Sequence, residues 1–237
     1  MVQASRRETL SIVVPAYNEA ATISNILDRI AALKIGLHLE LIVVDDGSKD
    51  GTAEAVRQWS QAAHAGMTVK VITKPNGGKG SAVRAGIDAS SGDYVIIQDA
   101  DLEYDPEDYT RLLVPLLAGD AEVVYGSRVH GPDKRGSPMF FWGGRLVTAV
   151  TNLLYGSHLS DEPTCYKLFK GPLLRSIPLT CTGFEFCPEV TAKVLRKGLR
   201  IAEVPIHYHP RGIEEGKKIR PMDGLWAIWE LLKWRFA

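Results

Sequence analysis

Tyr94-Val95-Ile96-Ile97-Gln98-Asp99-Ala100-Asp101-Leu102-Glu103 is the stretch on which the reading of this chain turns. An apolar run stops at two carboxylates separated by one small residue, and a third acid follows two positions later. A short apolar run bounded by polar residues marks a strand buried on both faces. If the chain stays extended beyond it, Asp99, Asp101 and Glu103 point the same way, because side chains alternate along a strand. Three acids so placed repel one another unless a cation sits among them. Oxygen-only ligands suit Mg²⁺ or Mn²⁺, and such ions keep positions open for water and substrate phosphates. The expectation is a metal site at Asp99, Asp101 and Glu103 that serves a phosphorylated substrate. The alternative is a solvated acidic turn.

Working outward, strand-like and helix-like segments alternate. Leu10–Val14 reads as a strand stopped by Pro15, 39–44 as a second strand, 69–73 as a third, 94–98 as a fourth and 121–125 as a fifth. Between them, 25–33, 52–63, 80–89 and 106–117 carry helical spacing, with Asp50 or Thr52 available to cap the second and Pro106 in the first turn of the last. Such alternation predicts an α/β fold, a mostly parallel sheet with helices on both faces. The second half is less regular: 140–155 and 185–197 read as helices, 165–169 and 199–204 as strands, and 205–221 as a mobile charged loop. One domain, 1–220, followed by a C-terminal amphipathic helix, 221–237, is the expected organisation.

Lys and Arg total 28 against 28 Asp and Glu, so zero net charge gives no sign of a nucleic-acid partner. No apolar run approaches the ~20 residues of a membrane span, and no signal-peptide core follows the polar N-terminus. Cys165, Cys181 and Cys187 have no metal spacing. These features fit a cytosolic protein with reduced thiols, peripheral on a membrane face at most.

In an open parallel sheet, ligands bind beyond the carboxyl ends of the strands. Four marked segments fall there: Pro15-Ala16-Tyr17-Asn18-Glu19, Asp45-Asp46-Gly47-Ser48, Pro75-Asn76-Gly77-Gly78-Lys79-Gly80, and Asp99-Ala100-Asp101. Tyr17 can lie flat on a base, and Asp46 can accept from a base edge or serve as a turn residue beside Gly47. The glycine run ending at Lys79 is either a phosphate cradle opening a helix or a flexible turn with a surface lysine; it lacks P-loop spacing.

Ile12–Glu19, Val43–Thr52 and Asp99-Ala100-Asp101 resemble the nucleotide-sugar-binding segments of family 2 glycosyltransferases with the GT-A fold. Gly126-Ser127-Arg128, Tyr166-Lys167-Leu168-Phe169, Glu203-Val204-Pro205-Ile206, and Arg211 followed by Lys217 are similar to the dolichyl- or polyprenyl-phosphate mannosyl/glucosyltransferase branch. The resemblance implies that Pro15, Tyr17, Glu19, Val44 and Asp46 bind the nucleoside. It implies that Asp99, Ala100 and Asp101 hold ribose, diphosphate and metal, with Glu103 where some relatives carry a glutamine ligand. Arg128, Arg211 and Lys217 would contact donor or acceptor phosphates, with Lys167 and Arg145 as further candidates.

A monoester phosphate acceptor, with a second pKa of about 6, is largely dianionic at neutral pH and needs positive charge to place it. A hydroxyl acceptor needs a base; Glu185 is the reserve candidate, or else a helix cap. The cations Arg128, Arg211, Lys217 and Lys218 suit the phosphate, although for Lys218 and Arg220 an ordinary solvated loop charge is the preferred reading. His207 and His209 read as strand-end residues. The C-terminal segment, with Trp226, Trp229 and Trp234 interleaved with Lys233 and Arg235, is either an interfacial helix or one packed on protein. The leading reading is inverting transfer of mannose or glucose from GDP-mannose or UDP-glucose to a polyprenyl phosphate. A hydroxyl-acceptor transferase and a non-catalytic sugar-nucleotide-binding module are the rivals.

Overall fold

Seven strands form one sheet in the order β3-β2-β1-β4-β6-β5-β7 in the computed structural model, which describes residues 7–62, 66–133, 137–212 and 218–237. The strands are β1 (Thr9–Ala16), β2 (His38–Asp45), β3 (Met67–Thr73), β4 (Tyr94–Ile97), β5 (Val123–Ser127), β6 (Lys167–Lys170) and β7 (Ile201–Pro205). Pairing is parallel except that β6 runs antiparallel between β4 and β5. The α/β, mostly parallel expectation holds. The reversal at β6 was not legible, because strand direction depends on a partner and not on local pattern.

β1 lies inside the sheet between β2 and β4, with Val13 opposite Ile42 on one side and Ile97 on the other. Leu10, Ile12, Val13 and Val14 are fully buried, as are Leu41 to Val44 and Val95 to Ile97. Both sheet faces are covered, which is why these strands are uniformly apolar. Pro15 does not stop β1, which continues to Ala16. The Val13 carbonyl accepts the Gln98 N–H on the β4 side, so alternation turns Pro15 toward that same side. There β4 has already ended, and the missing N–H breaks no ladder bond.

The helices are α1 (Ile23–Ala31), α2 (Thr52–Ser60), α3 (Lys79–Ala89), α4 (Tyr109–Leu117), α5 (Pro138–Tyr155), α6 (Gly171–Arg175), α7 (Phe186–Arg196) and α8 (Pro221–Phe236). A 3₁₀ turn at Pro106–Asp108 leads into α4, and the Asp105 carboxylate caps it by accepting the Glu107 N–H at 3.0 Å. α6 was not expected, since five residues are too short to show a period.

α5, α7 and α8 pack on one another, with Val147, Ala192 and Leu231 buried between them. The Tyr155 hydroxyl donates to the Leu231 carbonyl at 2.7 Å. The inner side of α8 therefore rests on its own domain, while its outer side, with Leu225, Trp226 and Trp229, is exposed. Among the described residues no helix is long and apolar enough to cross a membrane. All three cysteines are free thiols. Part of the loop expected at 205–221, residues 213–217 with Lys217, lies outside the described residues.

Candidate active site

The carboxyl ends of β1, β2 and β4 open on one edge of the sheet, and α3 starts there. The loops after β1 and β2 are tied together. Asn18 sits at φ +50°, a conformation asparagine tolerates. Its N–H donates to Ser48 Oγ at 3.0 Å, and its Oδ1 accepts the Lys49 N–H at 2.8 Å. Gly47, at φ +73°, brings in the third loop, since a Cβ there would lie 2.8 Å from the Asn76 nitrogen. Buried Asp46 completes the junction. Its carboxylate takes Lys74 Nζ at 2.5 Å and accepts the N–H groups of Gly77 at 3.0 Å and Gly78 at 2.8 Å. In this structure that side chain holds the loop opening α3. Pro15 and Val44 are buried within their strands, and Tyr17 is half-buried at the rim.

β4 ends at Ile97 and the chain bends over 100–103, so strand alternation does not align the acids. Folding nonetheless gathers them. Asp99 pairs with Lys79 Nζ at 2.5 Å, on the first residue of α3. Asp101 Oδ2 lies 2.9 Å from Arg211 Nη2, and its Oδ1 accepts the Glu103 N–H at 3.1 Å. The Arg211 guanidinium also grips Glu19, at 3.1 and 3.3 Å. Lys218 Nζ reaches Glu19 Oε1 at 2.6 Å and donates to the Tyr17 carbonyl. Thr22 Oγ1 donates to the Ala100 carbonyl at 3.0 Å, joining α1 to the acidic loop.

These pairings set the charge states. Burial pushes the Asp101 carboxyl up, the neighbouring charges of Asp99 and Glu103 push it further, and Arg211 offsets only part, leaving it at about 7. Burial acts the same way on Asp99 and Glu19, but Lys79 in one case and Arg211 with Lys218 in the other hold them below the usual carboxylate range. The Glu103 carboxylate accepts the Arg211 backbone N–H at 2.8 Å and the Tyr208 hydroxyl at 3.1 Å. It fastens the segment carrying Arg211 to the acidic loop.

Arg128 enters through Tyr208. Its guanidinium lies 5.1 Å from the centre of that ring and is clamped by Asp161 in a two-point pair, each contact 2.8 Å. Glu203 on β7 accepts the N–H groups of Ser160 and Asp161 at 2.7 and 3.0 Å, fixing the clamp. A chain of contacts thus runs from Glu19 through Arg211, Asp101 and Glu103 to Tyr208 and Arg128. It joins residues from both halves of the sequence around one acidic centre.

Residues 11–177 match the family described as glycosyl transferase family 2. The chain belongs to that family. This family 2 chain is 34% identical over 208 residues to a low-salt glycan biosynthesis hexosyltransferase of Haloferax volcanii, covering 86% of the chain and 48% of the relative. It is 32% identical over 189 residues to the undecaprenyl-phosphate 4-deoxy-4-formamido-L-arabinose transferase of Pseudomonas aeruginosa, covering 75% of the chain and 54% of the relative. The chain therefore spans about half the length of the curated relatives it matches. Glucosyl-3-phosphoglycerate synthase of Mycobacterium tuberculosis, solved with Mn²⁺, uridine diphosphate and glucosyl-3-phosphoglycerate, superposes with a TM-score of 0.74 at 26% identity. That match covers 97% of this chain and 80% of the synthase.

Two further family 2 candidates stand apart from this centre. Lys167, expected among the phosphate contacts, is wholly buried. Its ammonium donates to the Glu162 carbonyl at 2.6 Å and lies 3.5 Å from the centre of the Tyr125 ring. The apolar positions flanking it on β6 carry it into the core. Arg145 is exposed on α5 and donates to the Ser160 carbonyl at 2.8 Å, beside the Arg128 clamp. Glu185 Oε1 accepts the N–H groups of Thr182 and Gly183 at 2.7 and 2.8 Å. Burial raises this carboxyl, but those N–H groups hold it below the usual range, so it is a weak base. The Asp108 carboxylate anchors His207 through ring and backbone nitrogens at 3.0 and 2.7 Å, and the His209 N–H donates to the Glu103 carbonyl at 2.8 Å. Sequence reading missed the Asp161 clamp, which no period or spacing marks. It also set Lys218 aside as a loop charge, although its place next to Lys217, itself expected at a phosphate, was the available signal.

Proposed function

We propose that this chain transfers a hexose from a nucleotide sugar to a polyprenyl phosphate, inverting the anomeric carbon. The observation that carries the reading is the cation set, Arg128 and Arg211, on one contact chain with the acidic centre, together with a weak Glu185. A phosphate acceptor arrives ionised and requires guanidinium groups to place it rather than a base. The arabinose transferase relative, named for an undecaprenyl phosphate, supports the same acceptor class.

A divalent cation, Mg²⁺ or Mn²⁺, fits the acidic loop. Asp101 is a buried carboxyl raised to about 7 beside two other acids, a site short of positive charge. Among the described residues no group of three His, Cys, Asp or Glu forms a complete metal cage. Two carboxylates are what an ion held jointly with substrate phosphates takes. Asp99 and Asp101 would hold it, and when bound it neutralises charge developing on the departing diphosphate. The Mn²⁺ in the neighbouring synthase supports the choice of a divalent ion. Tyr17, Glu19 and the Asp46-braced loop would receive the nucleoside. Arg211, which pairs with Glu19 and Asp101 in this structure, and Lys218, which pairs with Glu19, would turn to the phosphates as donor enters. Glu103 keeps Arg211 at the rim.

A second reading, transfer to a phosphorylated hydroxyl acceptor, is favoured by the synthase complex with glucosyl-3-phosphoglycerate. Labelled UDP-glucose and GDP-mannose, each with Mn²⁺, are offered undecaprenyl phosphate in detergent or 3-phosphoglycerate in buffer. The expected result is label in the organic phase with release of nucleoside diphosphate. Label on phosphoglycerate alone would replace the first reading by the second, and no diphosphate release with any donor would overturn both.

A further inference from the structure

The residue that joins β4 to the acidic loop is a glutamine with no exposed surface. Gln98 is wholly buried, and its backbone N–H donates to the Val13 carbonyl on β1 at 2.9 Å. Its side-chain oxygen accepts the Tyr109 hydroxyl at 2.6 Å and the Tyr166 hydroxyl at 2.7 Å. Its amide nitrogen donates to the Asp99 carbonyl at 3.0 Å. A carbonyl only accepts, so the amide turns its nitrogen to Asp99 and its oxygen to the phenols. Burial pushes both phenols up, which keeps each one a donor. The two rings are fixed in turn. Tyr109 opens α4 and Tyr166 precedes β6; both are wholly buried and meet edge to face with centroids 5.6 Å apart, and Tyr104 packs on Tyr166 at 4.8 Å.

An apolar residue, like the four of β4 before it, would fill this position without placing an amide and two hydroxyls in the core. What the network holds is the backbone that carries the acids. Gln98 fixes the Asp99 carbonyl, Thr22 Oγ1 fixes the Ala100 carbonyl at 3.0 Å, and the Glu103 N–H donates to Asp101 Oδ1 at 3.1 Å. Asp99 and Asp101 therefore project from a segment whose successive carbonyls are each tied to another part of the fold. Mg²⁺ demands near-ideal octahedral geometry at short distances, and the larger Mn²⁺ accepts departures from it. Rigidity in this segment is the property that a small ion needs and a solvated acidic turn does not.

We propose that Gln98, pinned by Tyr109 and Tyr166, is a positioning residue that sets the spacing of the Asp99 and Asp101 carboxylates for a small divalent ion. This deepens the divalent-cation reading above and rests on it. The test replaces the polar node by apolar groups of similar shape, Gln98→Met with Tyr109→Phe and Tyr166→Phe, which leaves neither phenol nor amide unpaired. Melting temperature in EDTA reads the fold, and its rise on titrating Mn²⁺ or Mg²⁺ in the presence of UDP or GDP reads ion binding. The triple variant should melt close to wild type in EDTA and need about 10- to 100-fold more metal for the half-maximal rise. It should lose more with Mg²⁺ than with Mn²⁺, and the paramagnetic resonance spectrum of its bound Mn²⁺ should broaden. Tyr109→Phe with Tyr166→Phe alone, which keeps every ring and the amide, should lose affinity in the same order by a smaller factor, and it decides the matter if the triple variant fails to fold. Unchanged ion affinity in a folded variant overturns the proposal. So does an equal loss for both ions, which a general loosening of the fold would give. Wild type that takes neither ion with either nucleotide sinks the cation reading and this proposal together; wild type that takes them while the variants match it sinks this proposal alone.

Discussion

Replacing Asp101 with asparagine should stabilise the metal-free protein at alkaline pH while removing its response to metal and donor. The carboxyl is raised from 3.8 to about 7 by burial and by the charges of Asp99 and Glu103. A raised carboxylate makes the folded state bind more protons than the unfolded one. The penalty is absent below pH ~4, grows as pH rises toward 7 and is constant above it. Roughly three units at 1.36 kcal/mol each set a ceiling of about 4 kcal/mol. Asparagine keeps an oxygen for the Glu103 N–H and resembles the protonated acid, so it escapes the penalty. Denaturant unfolding of Asp101→Asn and wild type in EDTA, at pH 4, 6 and 8, reads the difference. The variant should match wild type at the lowest pH and exceed it progressively, by 1 kcal/mol or more at the highest. With Mn²⁺ and donor, wild type should gain stability by mass action and Asp101→Asn should gain none. A variant no more stable than wild type at pH 8 would refute the charge-crowding argument. Undiminished stabilisation by metal and donor would refute the proposed ligand role.

Asp161→Asn should leave Arg128 without its two-point partner, lowering turnover at least about tenfold while donor binding by thermal shift is unchanged; equal loss of donor binding would show that Arg128 serves the donor. Glu40, buried between Ser11, Ser91 and Lys70, is pushed up by burial but brought to about 2 by those partners. Its depressed pKa contributes about 3 kcal/mol above pH ~4.5, lost as pH falls toward 2, so Glu40→Gln should be less stable at pH 7 and converge with wild type in acid; a pH-independent difference would contradict this.

What the sequence determined by itself was the order of the strands and of the longer helices, and the edge of the sheet at which the acidic and glycine-rich motifs gather. Hydrophobic period, glycine turns and the abrupt Ile97-to-Asp99 change are local signals, and local chemistry fixes where a buried strand ends. The Asp99-Ala100-Asp101 and Val43–Thr52 segments carried the family for the same reason. Tertiary structure alone decided which charges meet. Arg211 finds Glu19 across 192 positions and Lys218 does so across 199, while Lys167, a plausible phosphate ligand on paper, is drawn inward by its apolar strand neighbours. It alone reversed β6, and it alone set the two apolar stripes of α5 and α8 on the outside. Periodicity names a helix's apolar side but does not say whether protein covers it; packing against α7 uses one side of each helix, and the other is left over.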